Sequence, residues 1–121
     1  MAKANPFNPD CPSQDILALI GGKWSMLLMC VLREGPTRSG ELARRAGGIS
    51  QKMLTQTLRE LERHGIVHRR DYQEVPPRVE YSLTRLGLSL SDLIRQIEGW
   101  VESNYTRITR MAKAYDASPS A

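Results

Sequence analysis

From residue 86 onward the chain carries an apolar seam too long for its own size. Leu86, Leu90, Leu93, Ile97 and Trp100 step by three and four, the spacing that lines up one face of an α-helix. Ile108, Met111 and Tyr115 carry the stripe on. About thirty helical residues reach ~45 Å. A chain of 121 residues has room for one modest core, and that core cannot cover the whole seam. A partner chain covers it most economically. Leu86, Leu90, Leu93, Ile97, Trp100, Ile108 and Met111 are therefore the expected dimer contacts, and the partner is expected to be a second copy.

Upstream of the seam the spacing changes repeatedly. Residues 1–10, with two prolines and two asparagines, read as a flexible arm. Cys11-Pro12-Ser13-Gln14 reads as a helix start, with Cys11 as cap, Pro12 at the first helical position and Gln14 reaching back. Ile16, Leu17, Leu19 and Ile20 follow, and Gly21-Gly22 stops them. Residues 23–34 are apolar almost all round and predict a buried central helix, ended by Gly35-Pro36. After an extended Thr37-Arg38, Ser39 is the expected cap of a short helix with Leu42, Ala43 and Ala46 inward. Ser50 then caps a clearer helix over 51–64, whose Leu54, Leu58 and Leu61 face the core and whose end is marked by Gly65. Segments 66–72 and 79–84 alternate as strands, joined across Glu74-Val75-Pro76-Pro77, and Thr84 caps the seam helix.

Helix, helix, short strand, helix, turn, helix and two-stranded ribbon is the order of a winged helix-turn-helix. The fold class is thus mainly α with a small antiparallel β ribbon and a long C-terminal dimerisation helix. The expected division is 1–10 arm, 11–84 DNA-binding core, 85–115 dimerisation helix and 116–121 disordered tail. In that order the 51–64 helix is the recognition helix. Its outer face carries Gln51, Lys52, Thr55, Gln56, Arg59 and Arg63. Gln51, Lys52, Thr55 and Gln56 have the chemistry to read base edges, Arg59 to meet phosphate, and the free amides near Ser50 to hold a phosphate oxygen. Arg69, Arg70 and Arg78 on the ribbon, and Arg38 before the motif, would follow the DNA backbone. Taken alone, such a helix face is usually no more than a solvated surface. The surrounding order of elements, with the basic ribbon directly after, turns the balance toward duplex DNA; the net charge of +4, from 17 basic and 13 acidic residues, favours a polyanionic partner without naming one.

Other classes fit less well. No apolar run approaches the ~18–20 residues of a membrane span, and no apolar segment follows Lys3 as in a signal peptide, so a cytoplasmic protein without membrane association is expected. With two histidines, no glycine-rich phosphate loop and no metal-ligand spacing, neither catalytic residues, nor a metal, nor a cofactor is expected. His64 and His68 read as surface residues and Cys30 as inert core. A winged-helix interaction module without DNA binding is the alternative from another class.

Three separated motifs carry a family resemblance. Cys11-Pro12 followed by Ile20-Gly21-Gly22-Lys23-Trp24 resembles the opening of the HxlR-type winged-helix regulators of bacteria. Residues 49–61 (Ile49 to Leu61) resemble their recognition helix, and residues 75–84 (Val75 to Thr84) their wing and second strand. The likeness runs from about residue 11 to Trp100. It implies a homodimer on near-palindromic operators that represses or activates transcription. One departure is Ser39-Gly40, where the family typically has a phenylalanine after the residue matching Arg38. Several relatives of this type sense oxidants or electrophiles through a cysteine aligned with Cys11. A helix N-terminus favours the thiolate, and Asp10 and Asp15 oppose it. Cys11 as sensor and Cys11 as structural cap both stay open. A small-molecule effector is the alternative to a thiol switch, with Trp24, Trp100 and Tyr105 as candidate lining residues.

Overall fold

The change from helical to alternating spacing after Gly65 is where the backbone changes type. The computed structural model describes residues 3–119 and orders them as α1 (Ser13–Ile20), α2 (Lys23–Leu32), β1 (Thr37–Arg38), α3 (Ser39–Arg45), α4 (Gln51–Arg63), β2 (Val67–Asp71), β3 (Val79–Leu83) and α5 (Arg85–Asp116). The three strands form one antiparallel sheet in the order β1-β3-β2. Thr37 and Arg38 pair with Tyr81 and Glu80, and Arg69 and Arg70 pair with the same two residues from the other side.

The core lies where α2, α3 and α4 meet the root of the sheet. Leu28, Met29 and Leu32 of α2, Leu42 of α3, and Leu54, Leu58 and Leu61 of α4 are essentially without solvent contact. Ile66, Val67 and Ile94 close the cluster. Each such side chain contributes about 1.5–3 kcal/mol by leaving water, which is what fixes α4 with its polar face outward.

Local chemistry sets the element ends. The Ser50 hydroxyl accepts from the Met53 amide at 3.1 Å, and Gly65 takes a φ of +74° after α4, a backbone state that costs glycine little. Thr84 does two jobs. Its hydroxyl accepts from the Gly87 amide at 3.0 Å and donates to the Gly65 carbonyl at 2.6 Å, tying the start of α5 to the α4–β2 turn. Gly87 then lies so close to the chain that a Cβ there would stand 2.1 Å from the Ile66 carbonyl oxygen.

Two expected caps are not caps. Ser39 is the first residue of α3, and Arg38 precedes it without a side-chain cap, because the β1 pairing holds the backbone extended through Arg38. Pro12 occupies the position before α1, again without a side-chain cap. Gln14 Nε2 reaches past the helix to donate to the Pro6 carbonyl at 2.6 Å. Residues 5–11 form successive turns, with Asn8 N donating to Asn5 O and Cys11 N to Asn8 O. At the other end α5 continues through Asp116, and residues 120–121 of the expected tail lie outside the described residues.

The long helix is held to the core along its first half. Ser91 and Ile94 are buried and Leu90 half-buried. Arg33, just after α2, grips it at three points: Nε donates to Ser91 Oγ at 2.9 Å, Nη2 to the Ser91 carbonyl at 3.1 Å, and Nη1 to Glu98 Oε2 at 3.0 Å. The Cys30 thiol donates to the other Glu98 oxygen. Cys30 is therefore not a plain core residue. Burial, reinforced by Glu98, pushes its thiol up to about 11.

Candidate nucleic-acid interface

Burying Leu54, Thr57, Leu58 and Leu61 leaves the remaining sides of α4 in solvent. Ser50, Gln51, Lys52, Thr55, Gln56 and Arg59 are all exposed, as expected. Gln51 Nε2 donates to Thr55 Oγ1 at 3.3 Å, so two potential base readers already touch. Lys52 and Arg59 form no ion pair among the described residues, whereas Arg63 is paired with Glu60 at 3.2 Å. The unneutralised charge thus sits at Lys52 in the first turn and at Arg59 two turns on, and Arg63 is tied down at the end of the helix.

The ribbon divides the expected wing arginines between its two faces, because successive strand residues point to opposite sides. Arg69, opposite Tyr81, faces α4 and shares a concavity with Thr55, Arg59 and Glu62. Arg70, opposite Glu80, lies on the other face. There Arg70 and Arg78 both stack on Tyr72, with guanidinium carbons 4.3 and 3.9 Å from the ring centre. Arg38 is exposed on β1, also in register with Glu80. So Arg59 and Arg69 come together, while Arg70 and Arg78 form a separate cluster. The sequence does not single out Tyr72, just past the end of β2; an aromatic residue two positions after a pair of arginines is the available signal.

Cys11 lies at the foot of α1, partly exposed. The Ser13 hydroxyl donates to its Sγ at 3.3 Å and the Asn5 amide at 3.4 Å. The Ser13 hydroxyl first, then the Ser13 and Asn5 amides, hold the thiol below its ordinary range. The two cysteines are therefore shifted in opposite directions.

Of the expected dimer contacts, Leu86, Leu93, Ile97, Trp100, Ile108 and Met111 are exposed, while Leu90 is half-buried against the core. Val101 and Tyr105 flank the same surface, while exposed Leu88 lies more than half a turn around the helix from Leu86. Helix α1 has no buried residue and leaves Ile16 and Leu17 exposed, so the apolar surface is wider than the seam alone. Trp100 and Tyr105 stand in solvent. The apolar groove between α1 and α5 is lined instead by Ile16, Ile20, His64, Ile66, Leu86, Leu90 and Leu93. His64 is thus half-buried rather than a surface residue, with Nδ1 2.8 Å from the Glu60 carbonyl oxygen. No single helix among the described residues is long and apolar enough to cross a membrane.

A capped helix with an exposed polar face, braced by a helical core and flanked by a basic ribbon, defines a winged helix-turn-helix regulator of transcription. The sequence matches the HxlR-like helix-turn-helix family over residues 19–109. It is 40% identical to the HTH-type transcriptional regulator YtfH of Escherichia coli strain K12 over 108 residues, which is 89% of this chain and 86% of that protein. The structure of YtfH from Salmonella typhimurium superposes with a TM-score of 0.87 at 39% identity, covering 92% of this chain and 99% of that one. The redox regulator HypR in its oxidised form superposes with a TM-score of 0.70 at 48% identity, covering 78% and 97%. The chain belongs to the HxlR-like family of helix-turn-helix transcriptional regulators, and its relatives are regulators rather than enzymes.

Proposed function

We propose that this regulator acts as a cytoplasmic homodimer that binds a near-palindromic operator and is switched through Cys11. The observation that carries the DNA-binding part is the exposed polar face of α4 beside the basic ribbon. Gln51, Lys52, Thr55 and Gln56 enter the major groove and read base edges. Ser50 and the first α4 amides, with Arg38, Arg59 and Arg69, hold phosphates. Two such heads are joined through the exposed apolar faces of α5 and α1, since a monomer would leave that surface in water.

The switch is supported by the hydrogen bonds that favour a Cys11 thiolate and by the likeness to a protein described as a redox regulator. Thiol alkylation at neutral pH is expected to reach Cys11 first. Cys30, held at about 11, stays protonated and slow. A second reading of the effector rests on the α1–α5 groove, whose apolar lining suits a small hydrophobic ligand.

The deciding experiment is fluorescence anisotropy on labelled duplex from the gene's own upstream region, with excess unrelated duplex as competitor. Reduced protein is expected to bind through the competitor. Diamide is expected to abolish binding in the wild type but not in Cys11→Ser. Binding indifferent to diamide would leave the groove as the effector site, and no preference over unrelated duplex in that region or in a selection from genomic fragments would refute operator binding.

A further inference from the structure

The arginines of the outer ribbon face are not equivalent. The guanidinium of Arg78 is flanked by two carboxylates and an aromatic ring. Nη1 is 3.8 Å from Glu74, Nη2 is 3.7 Å from Glu80, and Nε is buried with no hydrogen-bond partner. Its guanidinium lies on the Tyr72 ring, whose electron-rich face attracts the cation. Tyr72 is fixed in turn: its amide donates to the Arg78 carbonyl at 3.0 Å and its hydroxyl to Glu80 at 3.2 Å.

Arg70 differs. It is exposed, its side chain forms no ion pair among the described residues, and its guanidinium stacks on the Tyr72 ring. Stacking engages the flat face of a guanidinium and leaves its in-plane N–H groups free. Those edge donors are the ones that grip a phosphodiester in a two-pronged hydrogen bond. A long side chain in open solvent would otherwise lose rotamer freedom on meeting DNA, and the ring removes part of that loss beforehand.

Resting on the DNA-binding reading, we propose that Arg70 is the phosphate-gripping group of the outer wing face and that Tyr72, locked by Arg78, is the positioning residue that presents it. Arg78, expected from the sequence to follow the DNA backbone itself, is the clip that holds the ring. Glu74 and Glu80 neutralise it and so keep two neighbouring cations from pushing the wing apart.

The test is a salt series of anisotropy titrations on an unrelated labelled duplex, where phosphate contacts are read without base contacts. Arg70→Gln is expected to flatten the slope of log affinity against log salt by about 1. Tyr72→Leu is expected to do nearly the same although it removes no charge, and Tyr72→Phe to keep the wild-type slope. The double variant Arg70→Gln/Tyr72→Leu is expected to bind no worse than Arg70→Gln alone. Losses that multiply in the double variant would overturn the positioning role. Should Tyr72→Leu fail to fold by circular dichroism, exposed Arg70 still decides the matter, since an unchanged slope in Arg70→Gln overturns the proposal by itself. Wild-type protein that ignores duplex DNA at every salt concentration would instead refute the DNA-binding reading.

Discussion

Helices α4 and α5 are built on the same apolar spacing and put it to opposite uses. In α4, Leu54, Leu58 and Leu61 are 1%, 2% and 0% exposed; in α5, Leu93, Trp100 and Met111 are 57%, 59% and 63% exposed. The difference lies in what surrounds each helix. Helix α4 is met by α2, α3 and the root of the sheet, so its stripe is consumed inside the chain and its polar face is the surface on offer. Helix α5 rests on the rest of the chain through Gly87, Leu90, Ser91, Ile94 and Glu98, and among the described residues its apolar stripe from Trp100 to Met111 stays exposed. One periodic signal thus marks a core in the first case and an unmet partner surface in the second.

The largest effect should come from the consumed stripe. Leu58→Ala is expected to lower unfolding stability by about 2–5 kcal/mol in urea titrations, through lost burial and a residual cavity. Trp100→Ala should cost about 2–4 kcal/mol of subunit association, seen as dissociation on dilution in analytical ultracentrifugation, with secondary structure retained. A loss independent of protein concentration, as for a core residue, would break the comparison. Ser50→Ala and Thr84→Ala each remove a cap, about 1 kcal/mol in thermal melts. Thr84→Ala should exceed Ser50→Ala, because it also releases the tie to Gly65.

The smallest effect concerns the joint between the two regions. Glu98 is held below the usual carboxylate range by the Cys30 thiol first and by Arg33 second. A depressed folded value means that its contribution is complete above the unfolded value and is lost as pH falls through the folded one. Partly exposed, it contributes less than about 1 kcal/mol. Acid titration of stability in wild type against Glu98→Gln should show that increment disappearing below the ordinary carboxylate range, with no difference in slope near neutrality.

Much of this was legible in the chain itself, for local reasons. Ser50, Gly65 and Thr84 each end or begin a helix through residues within a few positions, and the leucines of α4 announce their face by spacing alone; the second bond of Thr84, to Gly65, is not local. The polar face of α4 follows from the same spacing. What stayed hidden depends on contacts distant in sequence. Ser39 was misread as a cap because β1 pairs with a strand some forty residues away. Cys30 looked inert because Glu98 arrives from another helix, and the exposed face of α1 could not be told from a buried one. The ribbon arginines read as equals until strand register separated Arg69 from Arg70.

The close approach at Gly87 has a mechanical consequence. With no side chain there, α5 sits directly on the Ile66 carbonyl and has a fixed fulcrum at its first turn. The rest of the helix is a lever of ~45 Å. A tilt of about 5° at the fulcrum carries its far end through about 4 Å, close to the rise of one base pair. In the proposed dimer, joined along these levers, a small angular change taken up at the Arg33 contacts to Ser91 and Glu98 would shift the two reading heads by a whole step of DNA.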